Sequence, residues 1–154
     1  MNARAIVLTM VLGFFGASTC FAAEANIGSW KLNEAKSTLT AGAPKNNMVV
    51  YVAAGDEVKV TVDGTAADGK PTHNEWKGKF DSKDYAVTGD PGSDARSYKK
   101  IDDRTMELTV KKGGTTTATG RIVLSADGKS RTVTLTGANA KGEKFNSIAV
   151  YDKQ

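Results

Sequence analysis

Cysteine is almost absent from this 154-residue chain, with Cys20 alone. One thiol closes no intrachain disulfide, so the fold cannot be a small cross-linked scaffold and needs a hydrophobic core of its own. Histidine is equally scarce, with His73 alone. One Cys and one His cannot supply the four ligands of a structural zinc site, nor a Cys-His site once Cys20 is lost. No Gly-x-Ser-x-Gly stretch offers a serine elbow. The expectation is a protein with no catalytic residues, no cofactor and no metal. His73, just after Pro71 and beside Asn74 and Glu75, reads as an exposed structural histidine.

Long apolar runs are missing too, except one. Ala5 to Phe15 follows Arg4 and precedes the small residues Ala17, Ser18, Ala22 and Ala23, the pattern of a secretory signal peptide. The run is too short to span a bilayer. Residues 1–23 are therefore expected to be removed and 24–154 to form one exported domain, periplasmic or secreted, with no integral membrane segment after cleavage. Small residues allow cleavage after Ala22, Ala23 or Ala25. The alternative is a lipoprotein anchored through Cys20. Twenty-one basic residues against seventeen acidic ones leave a formal charge of +4. The basic residues alternate with acids, as in Lys83-Asp84 and Lys99 to Arg104, and form no stripe, so nucleic acid is not an expected partner.

Helical periodicity is the third absence. Val58, Val60 and Val62 alternate with polar residues, as do Met106, Leu108 and Val110, then Ile122 and Leu124, then Val133 and Leu135. Such alternation marks half-buried strands. Strands are expected at 28–32, 47–53, 57–63, 72–80, 84–88, 95–101, 105–111, 116–125, 130–136 and 144–151. Short turn signals separate them, among them Ala54-Gly55-Asp56, Lys112-Gly113-Gly114 and Asp127-Gly128, and short turns join antiparallel neighbours. Pro44, Pro71 and Pro91 all fall in connections. The result is an all-β fold, an antiparallel up-and-down barrel of about eight to ten strands, since closure removes exposed edges. Only Asn33 to Leu39 breaks the rhythm, and Asn33 there can cap a short helix or lid segment.

The chain also matches itself weakly. Val60 to Gly69 aligns with Val133 to Gly142, sharing Val, Thr, Gly, Ala and Gly, either as convergent turn chemistry or as an internal duplication. Asp90 and Asp94, in a Gly-Asp-Pro-Gly-Ser-Asp loop, read as a capped turn, with a cation site as the alternative. The aromatic residues suggest a binding wall: Trp76, Phe80, Tyr85 and Tyr98 either fill the core or line a pocket for a flat or apolar ligand.

Gly28-Ser29-Trp30 on the opening strand, followed by Lys31-Leu32-Asn33, resembles the Gly-x-Trp start of the lipocalins and the wider calycin group. Val87 to Pro91 and Ala149 to Lys153 extend that likeness to small exported bacterial lipocalin-like proteins. The resemblance implies a barrel that binds a small hydrophobic ligand without turnover. It also implies that Trp30 closes one end under an arginine from late in the chain, for which Arg121 and Arg131 are the candidates. A filled-core structural or interaction protein of the cell envelope is the other reading.

Overall fold

The computed structural model describes residues 25–41, 43–138 and 142–154; the expected leader, Cys20 included, lies outside them. Ten strands run in sequence: β1 Gly28–Leu32, β2 Lys45–Ala54, β3 Glu57–Thr65, β4 Pro71–Gly78, β5 Tyr85–Thr88, β6 Ala95–Lys100, β7 Thr105–Lys112, β8 Thr115–Leu124, β9 Ser130–Ala138 and β10 Lys144–Lys153. Every strand pairs antiparallel with its chain neighbours, and β1 also pairs with β10, which closes the barrel. The ends differ from the sequence expectation by at most two residues.

Turn chemistry fixes the connections. Gly113 and Gly114 both take positive φ, 56° and 77°, the two-residue geometry that matches strand twist between β7 and β8. Asp68, Asp81, Asp102 and Asp127 each accept a hydrogen bond from the backbone N–H two residues on, at Lys70, Lys83, Arg104 and Lys129. The acids at these bends thus serve as local caps. Between β1 and β2 a single 3-10 turn, Glu34–Lys36, is capped by the Asn33 side chain, which accepts from the Lys36 N–H at 3.2 Å. Thr38 then pairs with Ile148, so this segment continues along β10.

Directly opposed residues of antiparallel strands share a face. Starting from Trp30, which is fully buried, the register carries the inward face through Val49, Val62 and Asn74 in one direction. In the other, Leu32 leads to Tyr151, Arg131 and Leu124. The outward face carries Lys59, Glu75, Lys77, Lys99, Glu107 and Arg121 in mid-strand. Such a charged belt suits water and not the hydrocarbon of a bilayer. Among the described residues no helix is long and apolar enough to cross a membrane.

The two self-similar segments occupy equivalent places, the ends of β3 and β9 that lead into a return strand. Gly64 and Gly137 lie against the adjacent strand so closely that a Cβ would meet the Lys45 or Thr117 carbonyl oxygen at 2.2 or 2.3 Å. Gly69 and Gly142 both take positive φ, 82° and 80°.

Candidate functional site

The two ends of the barrel differ in what they put inside. At the end where β1 starts and β10 finishes, large rings meet. Trp30 donates its indole N–H to the Asn26 carbonyl oxygen at 2.9 Å, and Asn26 itself is fully buried. Arg131 lies within this group. Its guanidinium carbon is 4.8 Å from the Trp30 ring centroid, 4.7 Å from that of Tyr51 and 5.2 Å from that of Tyr151. Lys153 Nζ approaches Trp30 at 5.2 Å. Of the two arginines considered from sequence, Arg131 is thus the one over Trp30. Arg121 is exposed on the outer face of β8, because Ile122 and Leu124 take the inward parity.

Trp76, Phe80, Tyr85 and Tyr98 come together in one cluster. Trp76 and Tyr98 meet edge to face at 4.7 Å, Trp76 and Tyr85 at 5.7 Å, and Phe80 stacks on Trp76 at 6.1 Å. These are packing distances between rings. Trp76 is buried and its indole N–H donates to the Arg96 carbonyl oxygen, while Phe80 and Tyr85 are half-buried. Burial pushes the Tyr151 phenol up to about 12, against the opposing field of Arg131. It raises Tyr98 as well, which shares a hydrogen bond with Tyr51.

The opposite end is built differently over β7 to β10. One inward row runs Phe145, Gly137, Ala118 and Val110; the next runs Ser147, Leu135, Gly120 and Leu108. Leu108, Val110, Val133, Leu135 and Phe145 point inward yet are only half-buried. Glycine and small residues stand between them. A Cβ on Gly120 would come within 2.6 Å of the Thr134 carbonyl oxygen and 2.9 Å of Leu135 Cδ1, so the close strand approach demands glycine and the Leu135 side chain lies over it. On the β4 to β6 side this end is polar and sealed. Arg96 donates to Asn74 Oδ1 at 3.0 Å and to Asp90 Oδ2 at 2.7 Å. Asp90 also accepts from the Gly92 N–H and the Ser93 hydroxyl. Partial burial pushes its carboxyl up, but these bonds and the Arg96 charge outweigh that and hold it below the usual range. Asp94 Oδ2 accepts from the Gly113 N–H, so both acids of the loop act as caps.

Aromatic content marks the Trp76 cluster in the sequence. The half-buried apolar rows leave no such mark, because their members lie on four strands. A readable signal was the set of small residues at inward parity, Ala118, Gly120, Gly137 and Ser147.

A groove of about 500 Å³ lies outside this end, between Lys31, Glu34, Lys45, Asn47 and the Thr65 to Gly69 turn. Its walls are mixed polar and apolar. His73, on the outer face of β4, holds Asp63 at 2.7 Å, and that hydrogen bond raises its pKa.

No family model matches the sequence, and no curated protein is similar to it. Solved barrels are similar in structure, two of them as follows. One is EF1p2_mFAP2b bound to DFHBI, with TM-score 0.51 and 11% identity, covering 89% of this chain and 100% of that one. The other is mFAP1, a redesigned beta barrel bound to DFHBI, with TM-score 0.47 and 17% identity, covering 86% and 98%. At such identity the likeness to the first is one of fold.

Proposed function

We propose that this chain is an exported, non-catalytic barrel of the calycin kind that binds a small apolar molecule through its half-open end. The observation that carries the reading is the asymmetry of the inward face. Met106 and Ala149 are buried, whereas Leu108 and Val110 further along β7, Leu135 on β9 and Phe145 toward the opposite end of β10 retain exposure. Apolar side chains that face inward and still meet solvent form a concave lining, which is the usual character of a small-molecule site. The aromatic cluster would be its floor. EF1p2_mFAP2b, a barrel of this fold, was solved bound to the small molecule DFHBI, which is a property of that protein. Export rests on the sequence of residues 1–23.

The tight packing of Trp76 against three rings favours a second reading, a filled barrel with a structural or interaction role in the envelope. Titration with the neutral dye Nile red separates the two. Saturable, blue-shifted fluorescence is expected for the wild type, abolished by Leu135→Trp, which fills the lining, with little change in melting temperature. Absence of saturable binding by Nile red and by neutral envelope lipids would reject the binding reading in favour of the filled barrel.

A further inference from the structure

β1 is shorter than the strand beside it, and the difference splits the barrel wall. β1 pairs with β2 from Gly28 opposite Tyr51 to Lys31 opposite Met48, although β2 begins at Lys45. After Leu32 the chain stays with β10: the Asn33 N–H donates to the Val150 carbonyl oxygen, and Thr38 pairs with Ile148. Lys45, Asn46 and Asn47 are thus left with β3 on one flank, and among the described residues no backbone group bonds them from the other. Such an edge presents N–H and C=O groups that a further extended chain can complete.

The space beside that edge is already shaped. The groove of about 500 Å³ outside the open end borders it at Lys45 and Asn47, and a second of about 370 Å³, walled by Ser37, Leu39 and Thr40, lies beyond. Glu34, Ala43 and Lys45 line both, and the Lys45 to Glu34 ion pair, 2.5 Å long, is the strap between them. Ala43, Ala66, Ala67 and Gly69 keep the walls low, which leaves room for a main chain. Glu34 is the acid of the first groove, and Lys45 takes it. Lys31, exposed on the same wall, has no ion-pair partner among the described residues.

We propose that this split in the wall is a peptide-binding groove, in which an extended acidic segment of another protein adds as a strand to the Lys45 to Asn47 edge and sets a carboxylate between Lys31 and Lys45. At about 3.3 Å per residue the edge is about 10 Å long, which suits about three or four peptide residues. Main-chain hydrogen bonds hold the segment, and the lysines select its charge, because Lys31 is unanswered and Lys45 exchanges Glu34 for the incoming carboxylate. The groove lies outside the barrel interior, so it does not depend on the apolar-ligand reading.

The test is fluorescence anisotropy of a labelled hexapeptide of alternating Glu and Val, titrated with the mature protein near neutral pH. Two control peptides carry Lys in place of Glu, or N-methyl groups on alternate amides. The Glu peptide is expected to bind saturably and each control at least about tenfold more weakly, the margin of one charge-assisted hydrogen bond. Lys31→Glu should reverse the preference between the Glu and Lys peptides, Glu34→Gln should tighten the Glu peptide by freeing Lys45, and Leu135→Trp should change nothing. Absence of saturable binding overturns the proposal, as does binding that both N-methylation and Lys31→Glu leave unchanged. Light scattering addresses the other occupant: a wild-type dimer that Asn46→Pro separates into folded monomers would assign the edge to a second copy of the chain and overturn the peptide assignment.

Discussion

Gly78 lies directly under the ring of Tyr85: a Cβ on this glycine would come within 2.4 Å of the ring carbon Cγ. The missing side chain is what lets Tyr85 lie against β4 and meet Trp76, so a glycine at an inward strand position is part of the aromatic cluster. Gly78→Ala should displace the Tyr85 ring and destabilise the fold by about 1–3 kcal/mol, the range for overpacking a filled site. Near-ultraviolet circular dichroism and urea unfolding check this. Unchanged aromatic dichroism with unchanged stability would show that the ring moves aside freely.

Trp30 is held on all sides, by Arg131, by Lys153 and through its indole N–H by Asn26. Trp30→Ala should lower stability by roughly 3–5 kcal/mol, as deletion of a packed aromatic does. The same truncation at Arg131 removes the cation and leaves three rings without it, so the double variant should lose less than the sum of the single losses. Strict additivity in denaturant unfolding would mean that the two side chains do not act together.

The strands were legible because period-two alternation is a local property: inward and outward residues follow each other along the chain. The same parity separates Arg131, in step with Val133 and Leu135, from Arg121, in step with exposed Val123. That Trp30 closes a barrel end followed from the resemblance of Gly28-Ser29-Trp30 to a Gly-x-Trp start. The half-open lining is another matter. Gly120, Gly137 and Ser147 are unremarkable in sequence, and they fall in neighbouring rows only through the register of β8, β9 and β10. The split between β1 and β2 depends on Asn33 staying with β10, which no spacing encodes.

Alkaline titration should find the interior tyrosines silent. Desolvation penalises the phenolates of Tyr98 and Tyr151, which raises both above the ordinary value of about 10. A folded-state pKa above the unfolded one means that the contribution to stability is intact below about pH 10 and is lost as pH climbs through the folded values. The barrel should therefore unfold in alkali as these rings ionise, with a steep phenolate absorbance step. Gradual titration of every tyrosine near pH 10 with the fold retained would show that solvent reaches the rings.

Small residues allow the leader to be cut after Ala22, Ala23 or Ala25. Cleavage after Ala25 would place a charged α-ammonium on Asn26. That residue is fully buried, with its carbonyl oxygen accepting the Trp30 indole N–H and its side-chain amide 3.9 Å from the Met106 sulfur. An ammonium there would be stripped of water, a loss far larger than one hydrogen bond returns. Ala25 is itself packed against the core and would be removed by the same cut. Cleavage after Ala22 or Ala23 keeps Ala25 in place and puts the new charge two or three residues away from the buried Asn26. The exported protein should thus begin at Ala23 or Glu24, read by intact mass after recovery from the exporting host. A chain engineered to begin at Asn26 should melt well below one beginning at Ala23. An exported form beginning at Asn26 with equal stability would show that the closed end does not need Ala25, and that its seal rests on Trp30 and Arg131 alone.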